Sequence, residues 1–291
     1  SIDVSDAIPE HVPVDVLTPS RPVEGRGIPV PMTTDSSQGW PVFVGLLGGF
    51  ILLKAGTAID VRPGGKVESF LSVLALRNDL GAPRDEVLTA VWPDADPALA
   101  AHSLNALVSS LHRQFGDVLG GDGLVVRAAG RYRLNVGPRV GLDIEVFEAA
   151  AERGDAARRA GDVETAKAAY QRAAGFYRGD LCIGSDVRHV LDRERLLVRY
   201  LAIQAALADS LFAEGDYEGA LARSLDLLGH DPCREDAHRL VIRCYMRIGE
   251  RAQALRQYQL CRGILRSEFE AEPEPATTAL YHQVRLHPDA I

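Results

Sequence analysis

The residues in this chain that could do chemistry fall in two short runs, and both suit contact with an anionic polymer better than catalysis. Between Ala98 and Gly116, His102, Asn105, Ser109, His112 and Arg113 stand opposite an apolar row of Leu104, Leu107, Val108, Leu111 and Phe115. That spacing makes one polar face on a helix. Side chains of these types reach phosphates or base edges, and an Asn such as Asn105 can pair with an adenine edge. The second run is Arg127, Arg131, Arg133 and Arg139, with no acidic residue among them. Cations on a hairpin are suited to lying along a phosphate backbone. The competing readings are a solvated helix face and arginines paired with acidic helices elsewhere in the chain.

Catalytic patterns are missing. The sequence holds no HExxH, no GxSxG, no GxxxxGK[ST] and no dinucleotide fingerprint after a strand. Gly120-Gly121-Asp122-Gly123 precedes a strand, so it lacks the helix N-terminus that a phosphate cradle requires. His189, His230 and His238 lie in helical sequence and are expected to be structural, and Arg193-Glu194-Arg195 is expected to be a solvated helix face. The four cysteines, Cys182, Cys233, Cys244 and Cys261, have no CxxC spacing, which points to reduced thiols in a cytoplasm-like compartment. No enzyme activity, cofactor or metal is expected. No apolar run approaches the roughly 20 residues that span a bilayer. The richest, from Trp40 to Leu53, is broken by Gly45, Gly48 and Gly49 and reads as two strands and a turn.

These side chains need a scaffold, and a chain of 291 residues is long enough for two cores. The net charge of -8 is uneven: residues 1–41 and those after 141 are acidic, while 42–140 are close to neutral and slightly basic. Residues 1–41 are rich in proline and read as a linker or arm. In 42–140, Val42 to Leu47 and Phe50 to Leu53 are predicted strands around Gly48-Gly49, and Ile59 to Arg62 a further short strand. Helices are predicted after Pro63-Gly64-Gly65, after Pro83 and across Leu104 to Phe115, followed by a hairpin on Ala129-Gly130. Strands, three helices and a closing hairpin describe an α+β winged helix-turn-helix domain. Residues 141–288 are predicted to be all-α, beginning with a helix for which Asp143 is the N-cap.

That second half repeats itself. Gly215-Asp216-Tyr217 with Ala220-Leu221 returns as Gly249-Glu250-Arg251 with Ala254-Leu255, about thirty-four residues on, the period of tetratricopeptide arrays. An earlier copy stands at Gly161-Asp162-Val163 with Ala166, Tyr170 and Ala173. Glycine permits the sharp turn, small alanines let helices approach, and Tyr170 and Tyr258 fill the space beyond. The expected architecture is a tetratricopeptide-like stack of helix pairs, with Arg193 to Phe212 at its centre.

Several runs also resemble a known family: Leu47-Gly48-Gly49-Phe50, Arg62-Pro63-Gly64-Gly65-Lys66, Val91-Trp92-Pro93-Asp94, Gly130-Arg131-Tyr132-Arg133-Leu134, Tyr177-Arg178-Gly179-Asp180-Leu181 and His230-Asp231-Pro232-Cys233-Arg234. In this order they resemble the antibiotic regulatory proteins of actinomycetes and their relatives, in which a winged helix precedes a bacterial transcriptional activator domain. The resemblance implies a transcription regulator whose winged helix docks double-stranded DNA, with RNA polymerase or a second protomer as partner of the helical half. It also departs from the family at Ala101, Ser110 and His112, where arginines are usual, leaving Arg113 as the permanent cation of that face. The rival expectation is therefore a protein-interaction or signalling module with little DNA affinity. Ser1 in place of an initiator methionine reads as the start of a piece of a longer chain, in which an upstream domain would be a further partner.

Overall fold

The computed structural model describes residues 39–77, 80–181 and 187–287. The expected arm lies outside these residues except at its last positions, and so does Cys182. The chain first forms β1 (Val42–Gly45), β2 (Ile51–Lys54) and β3 (Thr57–Ala58), which join β7 (Val140–Leu142) in a sheet of order β3-β2-β1-β7. The strand expected at Ile59 to Arg62 is displaced to Thr57–Ala58. Ala55 and Gly56 both take positive φ, which turns the chain within two residues and pairs Lys54 with Thr57, so the partners on β2 are used before Ile59 is reached.

Three helices follow: α1 (Lys66–Leu76), α2 (Arg84–Val91) and α3 (Pro97–Leu119). A second sheet, of order β4-β6-β5, is made from β4 (Ala82–Pro83), β5 (Val125–Ala128) and β6 (Arg131–Leu134). Phe70, Leu74, Leu104, Leu111 and Phe115 are buried between helices and sheets. The hairpin turn places Ala129 at φ 51 and Gly130 at φ 76. Two left-handed residues suit the twist of the strands, but alanine at such a φ costs roughly 1–2 kcal/mol. Ala129→Gly is expected to stabilise the chain by about 0.5–1 kcal/mol, because relief of strain outweighs the added freedom of the unfolded chain. A thermal melt with no increase in Tm would contradict this.

The second half is α4 (Asp143–Arg159), α5 (Val163–Phe176), α6 (Val187–Ala213), α7 (Tyr217–His230), α8 (Glu235–Ile248), α9 (Arg251–Phe269) and α10 (Pro275–Leu286). Successive helices pack in chain order. The repeated glycines Gly161, Gly215 and Gly249 reverse the chain at φ 76, 87 and 89. The following acids cap the next helix where they are aspartate: Asp162 accepts from Thr165 N at 3.0 Å and Asp216 from Gly219 N at 2.9 Å. Glu250, in the third copy, makes no side-chain cap. Tyr170 fills the space over Gly154, where a Cβ would lie 2.5 Å from its ring, and Tyr258 stacks on Tyr281 at 4.1 Å. No strand occurs between 190 and 270.

Expectations for α6 need correction. Within α6, Val190–Ala213 is long and apolar enough to cross a membrane by length and composition, although no such run stood out in the sequence, and it packs instead between α5 and α7. Arg193 and Arg195 are not simply solvated: Arg193 Nε donates to the Leu181 carbonyl at 2.8 Å, and Arg195 pairs with Glu148 of α4. His238 is buried, with one ring nitrogen bonded to the Pro232 carbonyl and the other to Gln257. Cys233, Cys244 and Cys261 are free thiols, and burial pushes Cys244 up to about 11 and Cys261 up to about 12.

Asp143 does not cap α4 in the expected way. Leu142 holds the N-cap position, and the Asp143 carboxylate turns to β1: Oδ2 accepts from Leu46 N at 2.7 Å and Leu47 N at 2.8 Å, with Arg178 at 3.4 Å. Gly48 N donates to the Asp180 carbonyl at 3.0 Å, and a Cβ on Gly48 would lie 2.7 Å from the Arg178 backbone. Tyr177 stacks on Tyr200 at 4.1 Å and donates its hydroxyl to Asp180. The runs Leu47-Gly48-Gly49 and Tyr177-Arg178-Gly179-Asp180 are thus two faces of one joint. One buried cluster continues across it, from Phe43 and Leu74 through Phe147 and Ala173 to Leu207.

Candidate nucleic-acid interface

Helix α3 begins where Asp96 accepts from Ala98 N at 2.9 Å and Leu99 N at 3.2 Å, with Pro97 in the first turn, and it ends at Gly120 in the left-handed region. Ala100, Leu104, Leu111, Phe115 and Leu119 bury one face. Lys54, at the end of β2, fixes the other end of the helix. Its Nζ donates to the Gln114 carbonyl at 2.6 Å and pairs with Asp117 at 2.8 Å, which holds the Asp117 carboxyl below the usual range. Arg139 sits beside Gly120, where its cation meets the carbonyl end of α3. Neither anchor was legible in the sequence, where Lys54 is a lone cation and Arg139 groups with the hairpin arginines.

On the opposite face His102, Asn105, Ser109 and Arg113 are all exposed and follow one another at helical spacing. Leu99 belongs to the same row and is 62% exposed, a residue that sequence reasoning missed. An apolar side chain there is suited to a thymine methyl group. His112 stands apart. It is half-buried, its Nε2 lies 2.8 Å from the Val125 carbonyl, and its ring covers Gly123, so it ties α3 to β5.

The hairpin arginines divide between two faces. Cross-strand pairing sets Arg127 opposite Tyr132 and Val126 opposite Arg133, with Ala128 opposite Arg131. Paired residues share a face, so Arg127 lies with Tyr132 toward α3, its guanidinium 5.5 Å from the ring centre. Arg131 and Arg133 point the other way and are exposed. Arg131 also donates to the Gly81 carbonyl at 3.0 Å, which binds the hairpin to β4. Between α3 and the hairpin runs a groove of ≈ 330 Å³ lined by Asn105, Ser109, His112, Arg127 and Tyr132 among others. The structure therefore brings together four of the expected residues there, leaves His102 and Arg113 along the same helix, and sets Arg131 and Arg133 on the far side of the hairpin. Exposed Asp94 and Asp96 flank the start of α3 and Asp117 its end.

Comparison with known proteins bears on the family and on the fold. The bacterial transcriptional activator domain matches residues 142–285. The transcriptional regulatory protein MoaR1 of Mycobacterium tuberculosis is 26% identical over 247 residues, covering 82% of this chain and 78% of that protein. The regulatory protein DnrI of Streptomyces peucetius is 24% identical over 249 residues, covering 83% of this chain and 91% of that protein. A solved structure of Mycobacterium tuberculosis EmbR with a phosphopeptide superimposes with a TM-score of 0.69 at 24% identity, which shows a shared fold. The match covers 84% of this chain and 65% of the length of that structure.

Proposed function

We propose a DNA-binding transcriptional regulator, from the premise that the chain belongs to the antibiotic regulatory protein family, whose bacterial transcriptional activator domain occupies residues 142–285. In this reading α3 enters the major groove of promoter DNA, and the β5–β6 hairpin is the wing that follows the backbone. The observation that carries it is the exposed row Leu99, His102, Asn105, Ser109 and Arg113 on α3, of which Asn105 and Ser109 line the same groove as Arg127. The helical half supports this arrangement by holding a second protomer or RNA polymerase. Regulation of transcription, with no catalytic step, is the role proposed, in the compartment that holds the chromosome.

The test is selection of genomic fragments by the purified chain at about 100 mM salt, where specific contacts persist and weak phosphate contacts fade. Enrichment of a repeated sequence motif supports the reading. No enrichment, with a protein partner captured on the helical half, favours an interaction module, a reading supported by the single permanent cation on the α3 face, Arg113.

The divided wing gives a further expectation. Arg133→Ala is expected to weaken binding to all duplexes about equally and to reduce the salt slope by about one, because a backbone contact releases counterions without reading bases. Arg131→Ala is expected to lower Tm as well, since it also removes the bond to the Gly81 carbonyl. Salt titrations on a random duplex, with melts of both variants, check this. Equal Tm for the two would remove the structural role given to Arg131.

A further inference from the structure

A groove of ≈ 780 Å³ lies where Trp40 and β7 meet the α4–α5 pair. Its floor is made of small residues, Ala149, Ala150, Ala168 and Ala169, with Val140 and Gly141 at the side. Its rim carries Arg153 and Arg172, with Glu145 between strand and helix. Both arginines are exposed, and no carboxylate among the described residues pairs with either. Arg172 leans on Phe176 at 5.8 Å, which holds its guanidinium over the helix pair. The site is apolar below and cationic above, the shape of a receptor for an aromatic side chain flanked by carboxylates.

The chain itself presents such a segment at the far end of the helical stack. Helix α9 ends at Phe269, which is 64% exposed. Glu270 follows in the left-handed region at φ 54, and both Glu268 and Glu270 are exposed without a cationic partner among the described residues. The next acids differ: Glu272 is held by Arg262 and Arg266, and Glu274 by Arg239. A projecting aromatic between two unpaired carboxylates is therefore a built feature of the α9 terminus, distinct from the ion-paired loop beside it.

We infer that the groove receives the Phe269 tip of a second copy of this chain, with Glu268 and Glu270 of that copy set against Arg153 and Arg172. Chain-order packing from α4 to α10 keeps groove and tip at opposite ends of one stack, so the contact forms between molecules. Such a contact is heterologous, head to tail, with different patches meeting on the two copies, unlike a two-fold dimer. The contact is small, so it is weak in free solution and strengthened when neighbouring DNA sites hold both protomers. This deepens the self-association half of the proposed function and does not depend on its DNA half.

The test uses the full chain in sedimentation velocity over a concentration series. One variant blocks the groove, Arg153→Glu with Arg172→Glu, and another blocks the tip, Phe269→Ala with Glu270→Lys. All four positions are exposed, so melts matching the parent confirm folding. The parent is expected to associate, and each variant alone to associate at least about tenfold more weakly, as for loss of an interface anchor. An equimolar mixture is expected to recover association and to stop at dimers, because one intact tip and one intact groove remain. A parent that stays monomeric, a variant that associates like the parent, or a mixture no stronger than its components overturns the inference. Binding of each variant to a single-site duplex reads the winged helix separately, so a failure of DNA recognition appears there and leaves the sedimentation result standing.

Discussion

Asp143→Ala should destabilise the chain by about 3–5 kcal/mol, a large part of the roughly 5–15 kcal/mol that holds a typical domain together. The substitution leaves the Leu46 and Leu47 N–H groups without their acceptor and Arg178 beside an uncompensated space. Asp143 is buried between β1, α4 and the Tyr177–Asp180 run, so the groups that it satisfies lie away from bulk solvent. Burial raises its carboxyl above the ordinary value, against the lowering effect of the Leu47 and Leu46 N–H groups and of Arg178. The folded chain thus holds that proton more tightly than the unfolded chain. The Asp143 contribution is therefore full below the ordinary carboxylate value and falls as pH rises through the higher folded value. Asp143→Asn should remove that part of the pH slope and cost less than alanine, since the amide keeps one acceptor oxygen. Denaturant melts across pH 3–8 would check both points, and an alanine variant as stable as the parent would mean that the joint is held elsewhere.

The joint was also what the sequence concealed. Each of its two runs was visible by itself, but nothing local says that Gly48 meets Arg178, since 130 residues separate them. The same holds for β7, three residues long and parallel to β1, whose pairing requires a closure across nearly the whole first half. Elements with a strong internal period fared better. The α3 stripe, the glycine-led helix pairs and the Ala129-Gly130 hairpin are legible because burial of one face or a demanded φ constrains each residue locally. Periodicity names the exposed side of α3, and so it found His102, Asn105, Ser109 and Arg113. It cannot tell an exposed polar residue from one turned toward a neighbouring strand, which is why His112 read as part of that side. Arg127, Arg131 and Arg133 looked like one cluster for a related reason: adjacency in sequence hides the alternation of a strand.

That distinction yields opposite expectations for two neighbouring substitutions on α3. Ser110 is exposed, and Ser110→Arg adds a cation beside the proposed reading face, which should raise DNA affinity at low salt and steepen the dependence on salt by about 0.9 per phosphate neutralised. His112→Arg adds the same charge but removes the bond to the Val125 carbonyl and brings a longer side chain against Gly123. It should therefore loosen the wing from α3 and lower Tm, with no gain in affinity. Removal of the proposed reading side chains acts differently again. Asn105→Ala with Arg113→Ala should abolish preference for the selected motif, because each base contact is worth about 1–3 kcal/mol, or roughly 5- to 150-fold. The loss should fall on specific binding and spare the stability of the fold, since both residues are exposed. Competition between motif and random duplex separates the two effects. Retention of the parent's motif preference by the double variant would show that α3 is not the reading element.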